Sequence, residues 1–275
     1  MNPRKSQLGR PAAMLAGVLA AMLLAACAQS PTGRNQLVLK SDEALAAEGK
    51  RQFEMIRERM PLVKDRATID YIACVSNSIV DVLEPPSSEL YWELAVIDQP
   101  DINAFVLPGG KINVFSGILQ VAKNQHQLAT VIGHEVAHVT AHHANERASR
   151  SMVAGVGIDI AAILLGGGYA HQTQAAQQTL QTGAMLGILN PFSRKQESEA
   201  DVVGLKYMAM AGFDPREAVK LWTNMEEREQ TQIPEFMSTH PSGEHRIESL
   251  VQQLPAALAL YNEAKAQGKA PQCQR

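Results

Sequence analysis

Several shortages limit what this chain can be. Aromatic residues make up only 5% of the sequence, so aliphatic and alanine side chains must supply most of any core. Charge is nearly balanced, 25 Lys+Arg against 28 Asp+Glu for a formal net charge of −3, and nothing in it suggests a nucleic-acid partner. Apolar runs are short: Ala12 to Ala26 falls below the length of a membrane span, and the Gly/Ala-rich stretch Met152 to Leu165 reaches it only marginally. Cysteine occurs three times, at Cys27, Cys74 and Cys273, so at most one disulfide can form within the chain.

What the chain does carry is an H-E-x-x-H word, His134-Glu135-Val136-Ala137-His138, inside a stretch patterned as helix. Residues four apart on an α-helix sit one turn above each other, so the two imidazoles can converge on one ion while Glu135 lies beside them. Neutral imidazoles suit zinc, and a catalytic zinc takes one more protein ligand and keeps a position open for water. Glu135 is placed to take a proton from that water and pass it to a leaving amine. Val131, Ile132, Val136, Ala137 and Val139 keep the surroundings apolar.

The third ligand must come from elsewhere. A metzincin would have a glycine at 141 and a histidine at 144, and Ala141 with Ala144 excludes that class. His142 is one turn past His138, but three ligands on one straight helix cannot close around an ion. His143 is expected on the opposite face, packed or at the surface. The best candidate is Glu197, in Ser193-Arg194-Lys195-Gln196-Glu197-Ser198-Glu199-Ala200-Asp201, where helical spacing puts Glu197 and Asp201 on one face and turns Glu199 elsewhere. Asp201 is placed to accept the outer ring proton of a ligating histidine and so fix its tautomer.

H-E-x-x-H followed by E-x-x-x-D, with Glu197 lying 197 − 138 = 59 residues after His138, resembles the gluzincin metallopeptidases. The flanks resemble their HtpX and CAAX prenyl endopeptidase family. The matching pieces are Asn103-Ala104-Phe105-Val106-Leu107-Pro108-Gly109-Gly110, the His134 helix, Ser193 to Gly204, and Ser238-Thr239-His240-Pro241-Ser242 with Arg246. Together they span residues from about 90 to 250 in the family's order. The resemblance implies an α+β, mostly helical, zincin-type catalytic domain with a small antiparallel sheet. It further implies one Zn2+ per chain held by His134, His138 and Glu197, with Arg246 behind them beside Asp201. His240 is expected to face the zinc, either donating to an oxyanion or filling the open coordination position as a reversible brake. A strand beside the cleft pairs with extended substrate in such enzymes. Lys111, Ile112, Asn113, Val114 and Phe115 are the candidates here, the alternative being a hairpin that only covers the core.

Residues 1–26 read as a targeting segment, with Arg4, Lys5 and Arg10 ahead of an apolar stretch. Leu24-Ala25-Ala26-Cys27 resembles a bacterial lipobox, which makes Cys27 the lipidated first residue of the mature chain; an uncleaved signal anchor is the alternative. Ala28 stands where a retention Asp would hold a lipoprotein in the inner membrane, so the sorting rule implies the periplasmic side of the outer membrane. The chain then most resembles the family's periplasmic lipoprotein members. Removing the segment shifts the charge to 22 − 28 = −6 and leaves 275 − 26 = 249 residues, enough at 45% hydrophobic composition for one catalytic domain.

Residues 27–40 read as a membrane-proximal linker, 41–265 as the domain and 266–275 as a tail. Helices are expected from an N-cap at Ser41 to Met60 and from Lys64 to Leu83, then strands at Tyr91 to Ile97, Ala104 to Leu107 and Lys111 to Phe115. Asn124 caps the active-site helix, drawn to Arg150. Residues 151–189 suggest a helical hairpin or lid more than a span. Gly212 stops the Glu197 helix, Asp214-Pro215-Arg216-Glu217 opens the next with Glu217 closing a capping box, and Ser242 is a candidate cap for the last. In an oxidising compartment Cys74 and Cys273 are expected to pair, two free thiols being the alternative.

The functional expectation is a zinc-dependent endopeptidase, lipid-anchored, acting on unfolded or misassembled envelope proteins and meeting envelope partners. Its rival is a periplasmic chaperone or assembly scaffold with a mostly silent zinc site, against which the intact Glu135 argues. A structural zinc module would need four protein ligands, the fourth from His240.

Overall fold

A computed structural model describes residues 27–153, 192–229, 235–240 and 245–275. The targeting segment, most of the expected hairpin or lid, and Ser242 lie outside the described residues. A small hairpin, β1 (Cys27–Gln29) with β2 (Asn35–Leu37), leads into α1 (Asp42–Arg59) and α2 (Arg66–Val80). Then come β3 (Glu93–Ile97), β4 (Ala104–Leu107) and β5 (Lys111–Phe115). The remainder is helical: α3 (Gln125–Thr140), α4 (His143–Val153), α5 (Arg194–Met210), α6 (Arg216–Glu229), α7 (Glu235–Thr239) and α8 (Arg246–Ala266). The architecture is α+β and mostly helical, as expected.

Local signals account for most boundaries. The Ser41 side chain accepts from the Ala44 amide and starts α1, and the Asp65 carboxylate does the same for α2 through Thr68. Asn124 caps α3 through the amides of His126 and Gln127. Ser193 and Gln196 form a reciprocal capping box at α5, and Gly212, at φ +86°, follows its end. Glu217 does not close a box on Asp214. It accepts instead from Asn124 and Gln127, fastening α6 to the start of α3.

Two expectations are corrected. The sheet is mixed, in the order β3-β5-β4, with β3 parallel and β4 antiparallel to β5. The chain leaving β3 crosses to the far side, and the Pro108-Gly109-Gly110 turn brings β5 back between the two earlier strands. Lys111 to Phe115 are therefore central, paired on both sides and buried throughout, so they offer no edge to a substrate. The edges of this sheet are β3, bridged by Leu62 at Ile97, and β4, whose Val106 backbone bonds Glu135. Second, the active-site helix does not run straight to Arg150. His142 takes φ +52°, unusual outside glycine, and the chain restarts as α4 in a new direction.

The core is largely aliphatic, packing Ile72, Val75 and Ile79 of α2 against Leu128, Val131 and Ile132 of α3 and Leu205 and Met208 of α5. Cys74 and Cys273 form the expected disulfide, closing a loop of 199 residues with a Cα–Cα distance of 5.7 Å. In the chain-entropy account such a loop contributes about 5 kcal/mol.

The central contact is between α3 and α5. A Cβ at Gly204 would lie 2.7 Å from the His134 backbone nitrogen, and one at Gly133 would lie 2.8 Å from the Gly204 carbonyl oxygen. The helices thus touch backbone to backbone. In an ordinary exposed helix Gly→Ala stabilises by about 1 kcal/mol; here Gly204→Ala is expected to destabilise by about 1–3 kcal/mol through overpacking. Denaturant unfolding checks the sign, with exposed Ser198→Ala on the same helix expected to stay within about 0.5 kcal/mol of wild type.

Candidate metal centre and active site

The α3–α5 crossing sets one turn of each helix face to face. His134 and His138 project from α3 and Glu197 from the first turn of α5, and His240, just past α7, completes a buried cluster of four donors. His134 Nε2 lies 3.1 Å from His138 Nε2, 3.2 Å from His240 Nδ1 and 3.3 Å from Glu197 Oε2. Glu197 Oε1 is 3.2 Å from His240 Nδ1 and 3.5 Å from His138 Nε2. Donors at about 2.0–2.1 Å from a tetrahedral zinc stand about 3.3–3.4 Å from one another; the three contacts of His134 Nε2 match that spacing, and all four donors lie within 4.8 Å of one another.

The chemistry of the outer nitrogens supports the same reading. His134 Nδ1 donates to Asp201 Oδ1 at 2.9 Å, so the neutral ring keeps its lone pair at Nε2; burial pushes this histidine down, but Asp201 and Glu197 outweigh it and raise it above the ordinary histidine value. His138 Nδ1 lies 2.8 Å from His143 Nδ1, and His143 Nε2 donates to Glu199 Oε2 at 3.1 Å. Burial pushes both His138 and His143 down, so each is a neutral ring. With its Nε2 protonated, His143 accepts at Nδ1, and His138 must donate from Nδ1 and keep its own lone pair at Nε2. With both rings neutral, two lone pairs face each other across 3.1 Å in a dry interior, an arrangement that a shared cation, metal ion or proton, stabilises.

The break at His142 is what brings His143 back beneath His138; it does not face away as the helical spacing predicts. Glu199, expected to point elsewhere, is buried behind His143. Neither is readable from spacing, because five residues is not a helical repeat and the break has no glycine or proline to announce it.

Arg246 gathers the other side. Its Nε donates to Asp201 Oδ2 at 2.7 Å and its Nη2 to Glu197 Oε2 at 3.1 Å, while Nη1 holds the His240 carbonyl at 3.1 Å. Trp222 lies against the guanidinium at 3.6 Å. The scarce aromatics concentrate here: Phe192 stacks on His138 at 3.9 Å and Phe236 on His240 at 4.6 Å.

The two carboxylates in the site differ. Burial alone would push Glu197 up, but His240 and His134 outweigh it and hold the group well below the usual carboxylate range. Burial pushes Glu135 up to about 7, with the His240 charge pulling the other way. Glu135 Oε1 is buried with no hydrogen-bond partner and lies 3.3 Å from His240 Nε2. One group is suited to hold a cation and the other to move a proton. Beside them lies a cavity of about 390 Å³ that reaches His138 and Phe192 from Val106 and Pro108 on the β4 side. Lys111 to Phe115 stay behind β4 and do not reach it.

If these four donors hold zinc, Glu197→Ala lowers bound zinc sharply, and Asp201→Ala weakens affinity by about 10–100-fold by freeing the His134 tautomer. Competition against a chromogenic chelator measures both.

Curated relatives share this chain's sequence widely. The mitochondrial metalloendopeptidase OMA1 of Schizosaccharomyces pombe is 40% identical over 191 residues, covering 68% of this chain and 53% of that protein. The human metalloendopeptidase OMA1 is 33% identical over 244 residues, 83% of this chain and 46% of its own length. A putative beta-barrel assembly-enhancing protease of Vibrio cholerae is 30% identical over 208 residues, 72% of this chain and 42% of that protein. The chain thus spans about half the length of these relatives, or less. The model for peptidase family M48 matches residues 67–254, more than half of the chain and all of the donor cluster, and the chain belongs to that family.

Proposed function

We propose that this chain is a zinc-dependent endopeptidase that cuts unfolded or misassembled envelope proteins from a lipid anchor at Cys27, on the periplasmic side of the outer membrane. Within its family it would stand with the periplasmic lipoprotein members of the HtpX and CAAX prenyl endopeptidase group. The observation that carries the enzymatic reading is the buried donor set with a separate, proton-accepting Glu135 beside it. The lipobox-like Leu24-Ala25-Ala26-Cys27 supports the anchor. Relatives named beta-barrel assembly-enhancing protease, in Vibrio cholerae and Yersinia pestis, support the envelope role.

Zinc, when bound by His134, His138 and Glu197, would supply Lewis acidity toward the scissile carbonyl and the attacking water. Glu135 takes the proton of that water and delivers it to the leaving amine, a task suited to a carboxyl that titrates near neutrality. β4, the edge strand beside the cavity, would offer its backbone to an extended substrate, with the Val106 backbone bonded to Glu135 in the present arrangement. His240 stands with His134, His138 and Glu197 in the donor set. With zinc held there its ring would compete with the attacking water, and we read the arrangement as a closed, resting one.

Removal of metal by a chelator is expected to abolish cleavage of an unfolded substrate, and zinc to restore it; activity that survives at zero bound metal sinks the reading. Glu135→Gln should keep its zinc and lose about 10²–10⁴ in rate. His240→Ala, at matched zinc occupancy, should raise basal cleavage about 10-fold or more by releasing a minor open state. A fall of about 10²–10³ would assign His240 to the oxyanion instead.

A further inference from the structure

The β1–β2 hairpin ends 134 − 37 = 97 residues before the first donor of the metal cluster, yet it touches the structure directly behind it. Arg34 grips two buried carboxylates at once. Its Nη1 and Nη2 donate to the two oxygens of Glu146 at 2.7 and 2.8 Å, while Nε and Nη2 donate to Glu199 Oε2 at 3.0 and 2.8 Å. Thr32 donates its hydroxyl to Glu199 Oε1, the remaining oxygen. Side chains of Glu146 and Glu199 are 0% and 3% exposed; Arg150 and Gln196 also reach Glu146, whereas at Glu199 the hairpin leaves His143 as the partner on the cluster side. Gln36 adds a bond to the Ala141 carbonyl at 2.6 Å, holding the break between α3 and α4. Further along, the Leu39 amide donates to Ser149 Oγ and Asn145 bonds the Lys40 carbonyl. The whole segment is stitched along α4.

We propose that this hairpin is a positioning element of the metal centre: Thr32 and Arg34 fix Glu199, Glu199 fixes the His143 tautomer, and His143 turns the His138 lone pair toward the donor set. The proposal rests on the zinc reading above. Every link in the chain has one permitted sense. A carboxylate only accepts, so His143 carries its proton on Nε2; His143 Nδ1 then only accepts, so His138 carries its proton on Nδ1 and presents Nε2 to a metal. If Glu199 swings away, His143 is free to move its proton to Nδ1. Two N–H groups would then oppose each other at 2.8 Å, and His138 must turn or surrender its lone pair. Thr32 and Arg34 are thus positioning residues that act through Glu199. Sequence spacing makes Glu199 a bystander of Glu197, whereas the structure gives it the role at His138 that Asp201 has at His134.

The test is the zinc affinity of the full chain, read by competition with a chromogenic chelator, together with the visible spectrum of the cobalt-loaded protein. Arg34→Gln and Glu199→Gln are each expected to weaken zinc binding about 10–100-fold and to alter the cobalt spectrum. Thr32→Val, isosteric and at an exposed turn, should move both in the same direction by less, and it carries the test if Arg34→Gln does not fold. Because Arg34 acts through Glu199, the double variant should bind zinc about as well as Glu199→Gln alone. Unchanged affinity in all three single variants, or fully additive losses in the double variant, overturns the proposal. A hairpin that only stabilises the fold would lower the unfolding midpoint of chelator-treated protein and leave affinity and spectrum as they are. A wild-type chain that binds no zinc, or loses none on Glu197→Ala, rejects the underlying metal assignment and is recognisable as that separate failure.

Discussion

Everything at the site depends on two helices approaching closer than side chains normally permit. Gly133 and Gly204 meet with no Cβ between them, and the residues one turn either side of that contact are the ones that matter. His134 follows Gly133 directly, and Asp201 and Glu197 lie one and two turns ahead of Gly204 on α5. A larger residue at either glycine would move the helices apart and with them His134 Nε2 and Glu197 Oε2, which stand 3.3 Å from each other across the crossing. Helix propensity is given up at two positions in exchange for a rigid spacing at four others.

Around that crossing the charges are arranged in two similar halves. His134 is backed by Asp201, which is backed by Arg246; His138 is backed by His143, then Glu199, then Arg34. Each arginine serves two carboxylates, Arg246 with Asp201 and Glu197, Arg34 with Glu199 and Glu146. Isolated buried charges of this kind would cost several kcal/mol each, and shared guanidinium groups with planar forks satisfy them in pairs. The two imidazoles are therefore held in orientation from outside, independently of whatever lies between them.

Legibility in the sequence follows the range of each signal. His134, Glu135 and His138 are one helical turn, as are Glu197 and Asp201, so the i, i+4 rule alone groups them. Ser41, Asn124 and Ser193 announce their helices through side chains that have one good use. His240 and Arg246 are visible only by resemblance, since nothing local marks them. The sheet order lies beyond such signals because alternation gives strands but not neighbours; the continuous burial of Lys111 to Phe115 is intelligible only with β5 at the centre. The left-handed turn at His142 has no glycine to signal it, and the placement of His143 is hidden with it. Gly133 and Gly204 are a readable hint, since a glycine inside a helical pattern points to a close backbone approach.

The Cys74–Cys273 bridge divides the molecule in a way the packing does not. Residues 74 to 273 form one covalent ring, and His134, His138, Glu197, His240, Asp201 and Arg246 all belong to it, whereas the β1–β2 hairpin and α1 lie on the free end outside. When the protein begins to come apart, the ligand-bearing helices remain tethered to one another and their reunion stays intramolecular, with the high effective concentration that a closed loop provides. The hairpin stands outside that ring, joined to it through α1 and, on the lipid-anchor reading, to the membrane through Cys27. The outer grip on His138 is thus not covalently closed with the donors it orients.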